Sequence, residues 1–185
     1  MVCFAHIFIK TQTPTHSIMP SPSRKEPFTV KSYEVLQNGR LKLSALLNYF
    51  QEVASNHASS LGWGFDSMQE NGVFWALHRI EIHIEQLPKW EDKVNASTWI
   101  KGTERIFARR DFSLEDEGGN LLVRAASAWL MVDINAKRPK NPAIIMDQMP
   151  QHVNPDDIPL TYSKLKPFDI PFESMARKVL PSELD

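Results

Sequence analysis

The sequence predicts an α+β fold: one long helix wrapped by a curved antiparallel sheet, with the start of a second repeat of that unit at the C-terminus. Three observations predict it. Apolar residues keep a helical period over one long stretch, from Leu43 to Leu61. Four later stretches alternate apolar and polar residues with a period of two, and a single helix is available to cover their apolar sides. The segment Ala176-Arg177-Lys178-Val179-Leu180-Pro181-Ser182-Glu183-Leu184-Asp185 restarts the pattern of Phe28-Thr29-Val30-Lys31-Ser32-Tyr33-Glu34-Val35. Val30 then matches Val179, Glu34 matches Glu183 and Val35 matches Leu184.

The elements follow in order. Residues 1–26 are set aside as a disordered leader: no acidic residue occurs before Glu26, Ser, Thr and Pro abound, and Met19 is an alternative start. The apolar opening lacks a basic flank and an A-x-A-like cleavage site, so a secretory signal is not expected there. Residues 28–35 have the β-branched and apolar character of a short strand, and Gln37-Asn38-Gly39 supplies a turn. The helix over 43–61 places Leu43, Leu46, Leu47, Phe50, Val53, Ala54, His57, Ala58 and Leu61 on one face and Asn48, Gln51, Glu52 and Ser55 on the other. Ser44 is its candidate cap, and Gly62 and Gly64 end it. After a turn at 69–72, a strand over 74–85 carries Phe74, Ala76, His78, Ile80, Ile82 and Ile84 on one face. Strands over 94–101 and 106–115 follow, then a hairpin turn at Asp116-Glu117-Gly118-Gly119-Asn120 and a long strand over 121–135. The domain expectation is a folded unit over 27–140, a Pro-rich linker over 141–175 and the opening of a truncated second unit over 176–185.

Composition narrows the function. A formal net charge of -1 argues against nucleic acid as the main partner. The single cysteine, Cys3, forms no internal disulfide and fits a reducing compartment. No stretch is apolar for long enough to cross a bilayer.

Few residues carry chemistry in a recognisable arrangement. His57 on the apolar helix face reads first as a core residue with one hydrogen-bonded nitrogen, a base or substrate contact being the alternative, and His78 is in the same position on its strand. Glu52 points the opposite way around the helix from His57, so the two do not form a base pair. Arg110 shares its face with Ala108, Phe112 and Leu114 and calls for a carboxylate or carbonyl partner, while Arg109 and Asp111 face the other way and can pair across one pleat. Lys137-Arg138-Pro139-Lys140 reads as a solvated loop. The run Ala125-Ala126-Ser127-Ala128 leaves room for close helix packing or for a slender apolar ligand. No phosphate loop, nucleophile elbow or metal-type Cys/His spacing occurs, so neither a metal nor a cofactor is expected.

From about Phe28 to Pro139 the sequence resembles the acyl-[acyl-carrier-protein] thioesterases. The resemblance is carried by Ser32-Tyr33-Glu34-Val35, Leu47-Asn48-Tyr49-Phe50-Gln51-Glu52, Asn56-His57, Leu61-Gly62-Trp63-Gly64 and Trp75-Ala76-Leu77-His78-Arg79, then by Pro88-Lys89-Trp90-Glu91-Asp92, Arg109-Arg110-Asp111 and Ala126-Ser127-Ala128-Trp129. It implies a tandem hotdog, a helix wrapped by a sheet occurring twice, and hydrolysis of a fatty acyl thioester on acyl carrier protein to give a free fatty acid. It also implies catalytic Asp, Asn and His and a further acidic residue in the second hotdog, with Asp185 just before or at the first of them, so this chain looks like a truncated form lacking the catalytic half. The first hotdog would supply much of the acyl pocket, for which Leu47, Phe50, Ala54, Ala126, Ala128 and Trp129 are candidates. A basic rim of Arg105, Arg109, Lys137, Arg138 and Lys140 would meet the acidic carrier. The compartment expected is the cytoplasm, ahead of a plastid. Two rival readings are a non-catalytic acyl-binding homodimer of single hotdogs and a homodimeric thioesterase using Glu52 or His57.

Overall fold

The computed structural model describes residues 21–152. The expectations for residues 1–20 and 153–185, including Cys3, Met19, most of the linker, the repeat from Ala176 and Asp185, lie outside the described residues. Among the described residues, six strands form one antiparallel sheet in the order β1-β3-β4-β5-β2, with β6 added to β5. They are β1 (Ser23–Thr29), β2 (Val73–Ile84), β3 (Lys93–Glu104), β4 (Phe107–Asp116), β5 (Leu121–Asp133) and β6 (Pro139–Lys140). The long helix α1 (Leu43–Ser60) packs against the sheet, and two short helices, α2 (Phe65–Glu70) and α3 (Ala143–Met146), close one end.

The first strand lies earlier than expected, over Ser23–Thr29, and residues 32–34 form a 3-10 turn. Its first residues therefore belong to the sheet, not to a leader. Strand β1 hid from the period reading because its half-buried face carries Arg24 and Glu26 before it reaches Phe28. Glu26 pairs with Arg24 and accepts from Asn56 of α1, while Phe28 stacks on Tyr49 at 4.4 Å. As an edge strand, β1 also tolerates Pro27 without losing a ladder bond on its open side.

Helix α1 begins after Lys42, whose extended backbone takes the cap position without a side-chain bond; Ser44 lies inside the helix and does not cap it. The entry is fixed by backbone instead, with Leu41 N–H donating to the Pro88 carbonyl and Lys42 N–H to the Glu34 carbonyl. Ala45, Leu46, Tyr49, Phe50, Val53 and His57 are the buried residues, while Leu43, expected on the apolar face, is half exposed. Phe50 stacks on Phe112 of β4 at 4.8 Å, and this pair joins Leu46, Val53, Val94, Ala96, Leu114, Val123 and Ala125 in the main core. Such a stacked pair adds about 0.5–1.5 kcal/mol beyond its burial. Gly62, at φ 81°, turns the chain out of the helix where other residues are strained.

Strand β2 contradicts the single-face reading. Its pairing with β5 slips between Leu77 and Arg79, leaving His78 in a bulge. Before the bulge Val73 and Trp75 pack inward; after it Ile80 and Ile82 do. His78 is therefore exposed and stacks on Phe107 at 4.8 Å, rather than lying on an apolar core face. On β5, Ala126 and Ala128 are fully buried on the face away from the helix. Their cross-strand neighbours there are Arg79, Glu81, Arg109 and Asp111. The small side chains leave room for those long ones to lie across the sheet.

Candidate functional site

A cavity of about 480 Å³ opens on one flank of α1. The helix contributes Gln51, Ala54, Ser55 and Ala58, and small Ala side chains one turn apart keep its backbone set back from the opposite wall. That wall comes from Val73, Trp75 and Leu77 of β2, Ala108 and Arg110 of β4 and Trp129 of β5. Trp63, Phe65 and Met68 close one end, with Met146 and Met149 beside them. Methionines there give an adaptable apolar surface. The α1–α2 junction is tight, since a Cβ on Gly64 would lie 3.0 Å from the Cα of Ser59.

A polar network runs behind this wall. Trp129 Nε1–H donates to Ser127 Oγ at 2.7 Å, and Ser127 in turn donates to the Arg110 carbonyl at 2.6 Å, which fixes the indole in the wall. The Arg110 Nη1 donates to Thr98 Oγ1 at 3.1 Å and to His57 Nδ1 at 3.2 Å. Thr98 is fully buried and passes its own hydrogen to the Asp111 carbonyl. Because guanidinium only donates, His57 Nδ1 must accept, so the ring's hydrogen sits on Nε2 and goes to the Ser21 carbonyl at 3.0 Å. Burial lowers the His57 pKa, the Ser21 carbonyl works against that shift, and the Arg110 and Arg24 charges reinforce it. Burial also draws Arg110 down to about 10, which leaves it charged at neutral pH.

This geometry sorts the expected residues. His57 is 1% exposed with both ring nitrogens engaged, so it has no free lone pair to take a proton from substrate and reads as a core histidine. Glu52 is exposed and accepts from Asn56. Of the six expected pocket residues, Ala54 and Trp129 line the cavity; Phe50 is spent on Phe112, Ala126 and Ala128 face away, and Leu47 lies elsewhere on the helix. Arg110 found an imidazole and a hydroxyl instead of a carboxylate. Arg109 pairs with Glu104 at 2.7 Å, and Asp111 with Lys101 at 3.3 Å. Among the basic residues, Arg105 is exposed in the β3–β4 turn, and Lys137 and Arg138 are exposed after β5. Lys140 lies in β6, not in a loop, and pairs with Asp133 at 2.8 Å. That Asp133 carboxylate accepts from the Ala136 and Asn135 backbone, and these bonds with Lys140 hold its pKa down to about 2.

Sequence reasoning missed α2 and the wall residues Trp63, Met68, Trp75, Met146 and Met149. The phase change at His78 concealed Trp75, and the two short helices were too brief to show a period.

A single long helix on a curved antiparallel sheet, with an apolar cavity along the helix flank, defines a hotdog domain of the thioesterase type. Residues 22–148 match the family described as the acyl-ACP thioesterase N-terminal domain, and the chain belongs to that family. It is 37% identical over 123 residues to oleoyl-acyl carrier protein thioesterase 1, chloroplastic, of Arabidopsis thaliana, covering 63% of this chain and 34% of that protein. The fold is similar to an acyl-ACP thioesterase from Bacteroides thetaiotaomicron at 25% identity and TM-score 0.69, covering 78% of this chain and 60% of that one. It is also similar to the 12:0-ACP thioesterase from Umbellularia californica at 25% identity and TM-score 0.66, covering 84% and 61%. The chain spans about a third of the length of the curated relatives it matches. Among the described residues, no helix is long and apolar enough to cross a membrane.

Proposed function

We propose that this chain supplies the acyl-chain pocket of a thioester hydrolase that releases free fatty acids from acyl carrier protein. The observation that carries the reading is the cavity beside α1: about 480 Å³, walled by Ala54, Ala58, Trp63, Trp75, Met68 and Trp129, and so suited to an unbranched apolar chain. Its walls bind and orient that chain and exclude water from it. Activation of the attacking water falls to the Asp, Asn, His and acidic residue that the resemblance assigns to a second hotdog, since His57 is locked by Arg110 and Ser21. That lock also favours the second reading for the described domain on its own, acyl binding without hydrolysis.

Filling the cavity tests the pocket. Ala54→Phe is expected to weaken binding of a fatty acyl ligand by ~10-fold or more, measured by calorimetry, because it removes chain contacts worth about 0.8 kcal/mol per buried CH₂. Binding equal to that of the parent protein would sink the reading. The carrier would meet the end of the sheet where the β3–β4 turn and β6 lie, with Arg105, Lys137 and Arg138 exposed and Arg109 and Lys140 tied to Glu104 and Asp133. Neutralising the first three should slow association with acyl carrier protein and flatten its salt dependence; unchanged kinetics would remove this docking site. The proposed compartment is the cytoplasm, whereas the matched curated relatives carry chloroplastic names, and fractionation of the producing cell decides between them.

A further inference from the structure

Arg110 and Arg109 are two cations in the wall of a largely apolar cavity; Arg109 is paired with Glu104, whereas Arg110 has no acidic partner among the described residues. Two of its five N–H donors, both on Nη1, are used on His57 Nδ1 and Thr98 Oγ1. The three on Nε and Nη2 have no acceptor among the described residues. Both nitrogens belong to a side chain that lines the cavity. Nε and Nη2 together form the side-on fork that matches the two oxygens of a carboxylate. The fork is held still, because Nη1 is bonded on both hydrogens and His57 is anchored in turn on the Ser21 carbonyl.

A buried cation of this kind favours an anion over a neutral oxygen, and the surrounding walls of Trp75, Trp129, Ala54 and Ala58 favour an alkyl chain. We propose that the cavity binds the free fatty acid anion with its carboxylate on Arg110, so that the released product competes with the incoming acyl thioester. This rests on the acyl-pocket reading above and extends it: the thioester has no charge at its carbonyl, so the Arg110 fork discriminates product from substrate. His57 and Thr98 act as positioning residues for that fork.

The test uses the full chain and a graded series of straight-chain carboxylates, each paired with its methyl ester, titrated at neutral pH and below micelle formation. Binding is read by calorimetry and by quenching of the cavity tryptophans. The expected result is that each carboxylate binds at least ~10-fold more tightly than its ester, as a charge-assisted bidentate pair implies. Arg110→Met should bring the acid-to-ester affinity ratio close to one, and Arg110→Lys should restore only part of the excess. Equal affinity for acid and ester, or an excess that survives in Arg110→Met, would overturn the proposal and leave the acyl pocket standing. Failure of both ligands to bind would overturn the pocket reading as well. Should Arg110→Met not fold, the acid-to-ester ratio in the unsubstituted protein still decides.

Discussion

The state of His57 makes a prediction that separates a structural histidine from a catalytic one. The ring is held neutral, with Nδ1 accepting from Arg110 at 3.2 Å and Nε2–H donating to the Ser21 carbonyl at 3.0 Å. Replacing it with Phe leaves one Arg110 hydrogen and the Ser21 carbonyl without partners. At ~1–3 kcal/mol for each of the two polar groups stranded, the loss should be about 2–6 kcal/mol in urea unfolding. His57→Gln tests the charge state more directly, since it keeps polar atoms but cannot titrate. Burial first, then the Arg110 and Arg24 charges, lower the folded pKa of His57 below its unfolded value. The unfolded chain therefore binds the extra proton at a higher pH than the folded one. His57 contributes full stability above its unfolded pKa near ~6.5, and that contribution is lost as pH falls below it, down to the lowered folded pKa. The slope cannot exceed about 1.4 kcal/mol per pH unit for one proton. The measurement is the urea midpoint of the parent and of His57→Gln between pH 8 and pH 5. The parent should lose stability below pH 6.5 more steeply than the variant. If the two profiles run parallel, the neutral, locked imidazole is wrong. A histidine working as a base would instead show its loss in turnover, with the two stability profiles superimposed.

Further outcomes follow from the packing. Phe112→Ala removes one ring of the Phe50 stack at full burial and should cost about 3–5 kcal/mol in chemical unfolding; a loss below ~1 kcal/mol would mean that the main core does not rest on this pair. Gly64→Ala forces its Cβ against Ser59 backbone, so α2 must shift from α1, at about 1–3 kcal/mol and with weaker acyl binding through a displaced Trp63 and Phe65; unchanged binding would detach α2 from the cavity. Tyr49 is buried and donates to Glu34 at 2.6 Å, and burial first, then Glu34, raise its pKa. Its contribution is complete below the unfolded pKa near ~10 and is lost as pH rises above that value, so in an alkaline absorbance titration one of the three tyrosines should ionise only on unfolding. Simultaneous ionisation of all three in the folded protein would contradict the Tyr49–Glu34 bond.

The long helix and the four strands after it were legible because each has one buried face repeated over enough residues to show its period. Leu46, Phe50 and Val53 mark α1, and Val94, Ala96, Thr98 and Ile100 mark β3. Strand β1 escapes the period reading because Arg24 and Glu26 occupy its half-buried face, where their ion pair and a hydrogen bond from Asn56 to Glu26 replace apolar contact. Of the six candidate pocket residues, only Ala54 and Trp129 lie on the cavity. A run such as Ala125-Ala126-Ser127-Ala128 announces that something must come close, but not on which face. Cross-strand partners settle that, and here they are the charged residues Arg79, Glu81, Arg109 and Asp111 on the side away from the helix.

The bulge at His78 links this lapse to the site itself. Without it, Trp75 and Leu77 would share a phase with Arg79 and Glu81, and the residues that wall the cavity would be continuous with the charged outer face. One extra residue lets β2 present apolar groups to the cavity at Trp75 and then, past the bulge, Ile80 and Ile82 to the main core. A strict period of two cannot satisfy both bodies of apolar residues with this sequence. The same slip that defeats a reading by alternation is thus what allows one strand to serve the core and the cavity in turn.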